Sequence, residues 1–163
     1  VTRRLLSTDE ILSIVATTPE RLRDLTVGAT PTQLRVAPAR GEWSVTEILA
    51  HLRSCTDVWG DAIELLLSRP HPTIRAVNPR TWIEGTDYRT LSFATSFASF
   101  RRQRRRLVAR LTNLPADDWD RSGTVLGGGA PIERTVHTFA DRLARHERGH
   151  WRQLAATVRS TSS

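Results

Sequence analysis

Lysine is missing from this sequence, and so are the features that mark a membrane protein or a disulfide-stapled one. All 24 basic residues are arginine against 17 acidic ones, giving a formal net charge of +7. A high pI reached without one lysine is what GC-rich bacterial coding produces, so the charge identifies neither a fold nor a nucleic-acid partner. Cys55 is the lone cysteine; no intramolecular disulfide can form, and a cytoplasmic location is expected. No run approaches the roughly 18 uninterrupted apolar residues of a membrane span, and the first residues lack the apolar centre of a signal peptide.

What is present suffices for one domain over residues 1–163, since 39% hydrophobic residues can close a single core. No internal repeat occurs, and no period-two alternation is long enough to predict a sheet. Four amphipathic segments predict an all-α fold, a four-helix bundle. The first starts at Ser7, where Glu10 completes a capping box, and ends near Gly28. Pro19 is expected to interrupt it, and Thr18 can cap a new start, giving either two short helices or one kinked one. Ser44 and Glu47 form a second capping box, with Trp43 placed to staple onto Ile48, and predict a helix over 45–68. Its apolar stripe is Ile48, Leu52, Cys55, Trp59, Ala62 and Leu66. A third helix is expected over 90–113, on the stripe Phe93, Phe97, Phe100, Leu107 and Leu111, and a fourth from Pro131 to about 158. Residues 69–89 and 115–130 read as connections.

The fourth segment carries the chemistry. His146 and His150 fall on the same inward arc as Phe139 and Leu143, and a spacing of four sets their Cβ atoms about 5–6 Å apart on one face. That span lets two imidazoles converge on one ion. It equally suits two core histidines bonded to their neighbours. His51 flanks the stripe of the second helix and can look into the bundle, as a third ligand or as an interface residue. Three imidazoles from two helices would leave a coordination position open, as catalytic zinc sites do. His137, about half a turn from His146, should face outward, and His71, between Pro70 and Pro72, reads as a solvated turn residue.

The string Glu42-Trp43-Ser44, then Glu47-Ile48-Leu49-Ala50-His51-Leu52, and later His146-Glu147-Arg148-Gly149-His150-Trp151-Arg152-Gln153 resembles the DinB-like superfamily. Its pattern pairs a W-S-x-x-E-x-x-x-H-L helix start with a final H-D-x-x-H-x-x-Q helix, and the likeness spans roughly residues 8–158. The resemblance implies a DinB-like four-helix bundle whose metal ligands map onto His51, His146 and His150. It further implies zinc or nickel as the metal and frequent homodimerisation. Members include proteins described as YfiT-like metal-dependent hydrolases, and thiol S-transferases that use bacillithiol or mycothiol. Two departures stand out: Glu147 replaces the usual aspartate, and Val125-Leu126 occupy a loop position where relatives often carry His-Pro.

The remaining residues have bland readings beside functional ones. Cys55 could approach the same ion but is expected to pack as a small hydrophobe. Glu47 and Glu147 could orient an imidazole, or serve capping and surface charge. The arginines at 101, 102, 104, 105 and 106 spread around the third helix. Arg104 alone falls on its inward stripe, where it either snorkels to the rim or holds an anionic group of a ligand. The sequence thus predicts a metal-dependent enzyme acting on a small molecule, with no nucleic-acid or membrane partner. A mycothiol-type S-transferase is preferred, and a metal-dependent hydrolase or a non-catalytic metal- or ligand-binding bundle is the alternative.

Overall fold

Four long helices enclose the core. A computed structural model describes residues 4–161. The long helices are α1 (Thr8–Thr26), α3 (Val45–Ser68), α5 (Phe93–Thr112) and α6 (Val136–Thr161). Two short helices, α2 (Pro31–Arg35) and α4 (Pro79–Trp82), occupy connections. α6 packs against α1 and α3, and α5 closes against the same two, so α5 and α6 stand diagonally across the bundle. No helix among the described residues is long and apolar enough to cross a membrane.

Local chemistry explains where the helices begin. Both sequence-predicted capping boxes form: Ser7 Oγ accepts from the Glu10 amide while Glu10 accepts from the Ser7 amide, and Ser44 and Glu47 repeat the exchange. Helix α1, however, runs unbroken through Pro19. Thr18 is fully buried and does not cap. Its hydroxyl donates to the Ile14 carbonyl and receives the Trp151 indole N–H. Burial of Ile11, Val15 and Leu22 on either side of the proline offsets its interior cost of about 3 kcal/mol.

The fold is not purely α. Strands β1 (Thr73–Arg75), β2 (Ser122–Leu126) and β3 (Ile132–Thr135) form a small sheet in the order β1-β2-β3. β1 runs parallel to β2, with Thr73 opposite Thr124, and β2 runs antiparallel to β3, with Val125 opposite Ile132. Residues 131–135 are therefore not the first turn of the last helix, which starts at Val136. Strands of three to five residues carry too little alternation to announce themselves. Gly123 marks the crossing: a Cβ there would collide with the Pro72 carbonyl, so only glycine lets the segment before β1 approach β2. Val125 and Leu126, the departure from the family pattern, lie in β2.

The core divides into two apolar clusters. One gathers Ile11, Val15, Cys55, Ile63, Leu111 and Leu143; the other gathers Leu22, Ile48, Leu52, Phe100 and Leu154. Each long helix also contributes a polar residue buried in the interior: Thr18, Thr56, Arg104 and Glu147. Arg104 pairs with Glu147 across the diagonal and donates to Thr56 Oγ1 at 3.0 Å. This corrects the sequence reading of both charged residues. Arg104 does not snorkel, being 1% exposed, and its carboxylate partner belongs to this chain rather than to a ligand; Glu147 faces the core rather than an imidazole.

Candidate metal centre

Helices α3 and α6 lie side by side, and that contact brings the predicted histidines together. His51 Nε2 is 2.9 Å from His146 Nε2, and His150 Nε2 is 3.1 Å from the same atom. Nitrogens held at about 2.0–2.1 Å around a tetrahedral ion stand about 3.3 Å from one another, so these separations are within a few tenths of a ligand cluster. One nitrogen carries at most one proton or one in-plane lone pair, so His146 Nε2 cannot form a well-aligned hydrogen bond with both neighbours. A shared cation satisfies all three, and the residues fit one.

Second contacts orient the rings. His150 Nδ1 lies 2.7 Å from Gln153 Oε1, an acceptor only, so Nδ1 carries the proton and Nε2 keeps its lone pair for the cluster. Trp59 meets His146 edge to face at 5.1 Å, and Trp43 lies 5.0 Å from His51 and 6.5 Å from His150. Gln153 stands in the sequence motif, and its spacing of three from His150 is the signal that assigns it this role. Trp43 stands in the motif as well, whereas Trp59 carries no such signal, because it also belongs to the ordinary apolar stripe of α3.

Cys55 lies one turn after His51. Its Sγ is 3.5 Å from His51 Nε2, and His51, Cys55 and His146 offer donor atoms all within 4.8 Å of one another. A thiolate sharing a tetrahedral ion with an imidazole would stand about 3.5 Å from it, so two donor sets overlap here, with His150 or Cys55 beside His51 and His146. The cysteine also packs as the sequence predicted, fully buried within the first apolar cluster. Burial, reinforced by the Glu147 carboxylate, pushes its thiol up to about 12.

The other histidines stay out of the cluster. His137 is only partly exposed: its Nε2 bonds the Leu6 carbonyl at 2.7 Å and its ring meets Trp119, tying the N-terminal segment to α6. His71, at φ 41°, pairs with Glu133 at 2.9 Å. Glu47 is committed to the cap of α3.

Burial lowers all three clustered imidazoles. His51 falls to about 4, assisted by His150, Arg80 and Arg89, and His146 to about 3, assisted by His150, His51, Arg142 and Arg80. His150 is lowered as well, though Gln153 opposes the effect. All are neutral near pH 7, as ligation requires. Because the folded values lie below the unfolded value, the unfolded chain takes up protons first as the pH falls. Stability from these groups is complete above about pH 6.5 and is lost progressively towards the folded values. The melting temperature of the metal-free protein is expected to drop between pH 7 and pH 5, with a shallower drop in His146→Gln. A melting temperature unchanged or rising over that interval would contradict the burial of neutral imidazoles.

The comparisons agree with this fold. A solved structure of YfiT from Bacillus subtilis, described as a probable metal-dependent hydrolase with an unusual four-helix bundle topology, superposes with a TM-score of 0.80. It shares 20% identity, and the match covers 98% of this chain and 91% of that one. No curated protein matches the sequence. The DinB superfamily model matches residues 15–154, an interval that contains the W-S start of α3, all three clustered histidines and Gln153. With most of its length matched by that model, the chain belongs to the DinB superfamily.

Proposed function

We propose that the protein is a metal-dependent enzyme that joins a thiol of the mycothiol type to a small electrophile, in the cytoplasm. The observation that carries the metal reading is the convergence of the His51 and His150 Nε2 atoms on His146 Nε2. His51, His146 and His150 would hold the ion, zinc or nickel. Bound there, a divalent ion supplies the means of lowering the pKa of a thiol or a water near neutral pH.

The protein's own side chains favour two reactants. His150 lines one cavity of about 450 Å³ with Trp43 and Gln153, while His51 and His146 line another of about 530 Å³ with Trp59 and Cys55. Two neighbouring cavities that share the Arg80 wall and each include a histidine of the cluster suit a thiol and an electrophile that meet at it. In the transfer the sulfur–carbon bond forms as the leaving group departs with its electron pair, and the thiol proton passes to solvent. The hydrolase reading has support from YfiT, which carries that description. It needs water in place of the thiol.

The test is metal analysis of protein purified without a histidine tag, followed by incubation with mycothiol and a panel of electrophiles. Close to one divalent ion per chain is expected, with electrophile consumption that requires both metal and thiol. Metal-dependent turnover proceeding equally well without thiol would replace transfer by hydrolysis. Metal uptake with no turnover across the panel would leave a binding module.

A further inference from the structure

Three cavities open around the histidines, and one side chain is common to all of them. Arg80 lines the chamber at His51 and His146, the chamber at His150, and a smaller cleft of about 170 Å³ between Trp43, His51 and Arg89. Its guanidinium stands 5.0 Å from the Trp43 ring centroid. No described carboxylate pairs with it. Arg142 is likewise without a carboxylate, 4.8 Å over Trp59 at the larger chamber. The acid lining that chamber, Asp141, is already bound to Arg145.

The segment carrying Arg80 is held in place. Asn78 caps α4 by accepting from the Arg80 amide at 3.0 Å, and Pro79 is buried. Asp57 on α3 accepts from the indole of Trp82, the last residue of α4, at 3.4 Å and from the Tyr88 hydroxyl beyond it at 2.7 Å. The guanidinium is thus presented over the cluster from an anchored backbone.

We infer that Arg80 is the recognition residue for a small organic anion, a carboxylate, that enters beside the three histidines, with Arg89 and Arg142 adding to the attraction. Glu47 at the small cleft is spent on the cap of α3 and Glu42 lines only the His150 chamber, so in the chamber at His51 and His146 the cations outnumber the single acid, and cations gathered in a concave site raise the local potential for an anion. The planar guanidinium fork matches a carboxylate in two parallel hydrogen bonds. The identity of the anion as substrate rests on the metal-enzyme reading above; the anion site itself does not.

Succinate is the probe, titrated into metal-free protein and followed by tryptophan fluorescence, to which Trp43 and Trp59 beside these guanidinia contribute. A saturable change with succinate and none with neutral succinamide is expected. Arg80→Gln should weaken succinate about ten- to a hundredfold. Arg23→Gln removes the same charge from an exposed site on α1 and should change it by less than about twofold. Absence of succinate binding, equal affinity in Arg80→Gln and the parent, or equal weakening in both variants would overturn the inference. Inorganic phosphate binding more tightly than succinate would overturn the carboxylate assignment. Zinc uptake on the same preparations separates the two readings, because Arg80→Gln should take up zinc as the parent does. Succinate binding dependent on Arg80 in a protein that takes up no zinc would preserve this site and sink the metal reading. Full zinc uptake without any effect of Arg80 on succinate would do the reverse.

Discussion

His146→Ala is expected to abolish binding of the divalent ion, from about one equivalent to none, because it removes the nitrogen that both other imidazoles face at 2.9 and 3.1 Å. Equilibrium dialysis with zinc reads the loss directly. His137→Ala is the matched control: it breaks the bond to the Leu6 carbonyl and so costs stability, but it should keep the full equivalent of metal. Retention of metal by His146→Ala together with its loss in His137→Ala would mean that α6 presents a different face in solution. Cys55→Ser bears on the fourth position. With three imidazoles as the ligands, the variant should keep its metal, and cobalt-loaded parent protein free of added thiol should lack a thiolate charge-transfer band. A band that disappears in Cys55→Ser would make Cys55 a ligand and close the site.

Arg104→Met should lower stability by about 3–5 kcal/mol, since it strands the Glu147 carboxylate in the centre of the bundle. Denaturant unfolding at pH 7 measures it. Burial already raises the Glu147 carboxyl above its ordinary range against the opposing pull of the guanidinium, and without Arg104 it rises further. A folded value above the unfolded one confers stability at low pH that is lost as the pH rises, so the deficit of Arg104→Met should shrink on acidification. Arg104 Nε, Arg104 Nη1 and Glu147 Oε2 have no hydrogen-bond partner among the described residues, so the ion pair is incompletely satisfied. Arg104→Met combined with Glu147→Leu is therefore expected to return to within about 1 kcal/mol of the parent or above it. A double variant as unstable as Arg104→Met alone would show that the four-helix polar layer, rather than the stranded charge, carries the stability.

The boundaries that the sequence disclosed are those set by short-range chemistry. Helix α3 was readable to the residue because Ser44 and Glu47 satisfy each other's backbone partners within one turn, and that exchange needs nothing from the rest of the fold. At Pro19 the sequence left two helices and one kinked helix both open, because the proline's cost is local while its compensation, the burial of α1 against α5 and α6, is not. Arg104 misled for the same reason: its helical stripe was legible, but the carboxylate that accepts its charge lies 43 positions away on the diagonal helix.

By itself the sequence determined the four long helices, the inward face shared by His146 and His150, and through the paired motifs the superfamily. Helical period and capping are properties of neighbouring residues, so they survive without a fold. Only the tertiary structure decided the rest. Packing of α3 against α6 brought His51 to His146 across 95 positions, and the sheet drew β1 and β2 together from segments with no visible strand pattern. Arg80 is the clearest case. It lies in what reads as a loop, and it becomes a wall of three cavities because Asp57, on another helix, holds the chain that carries it; no spacing along a sequence records a bond of that kind.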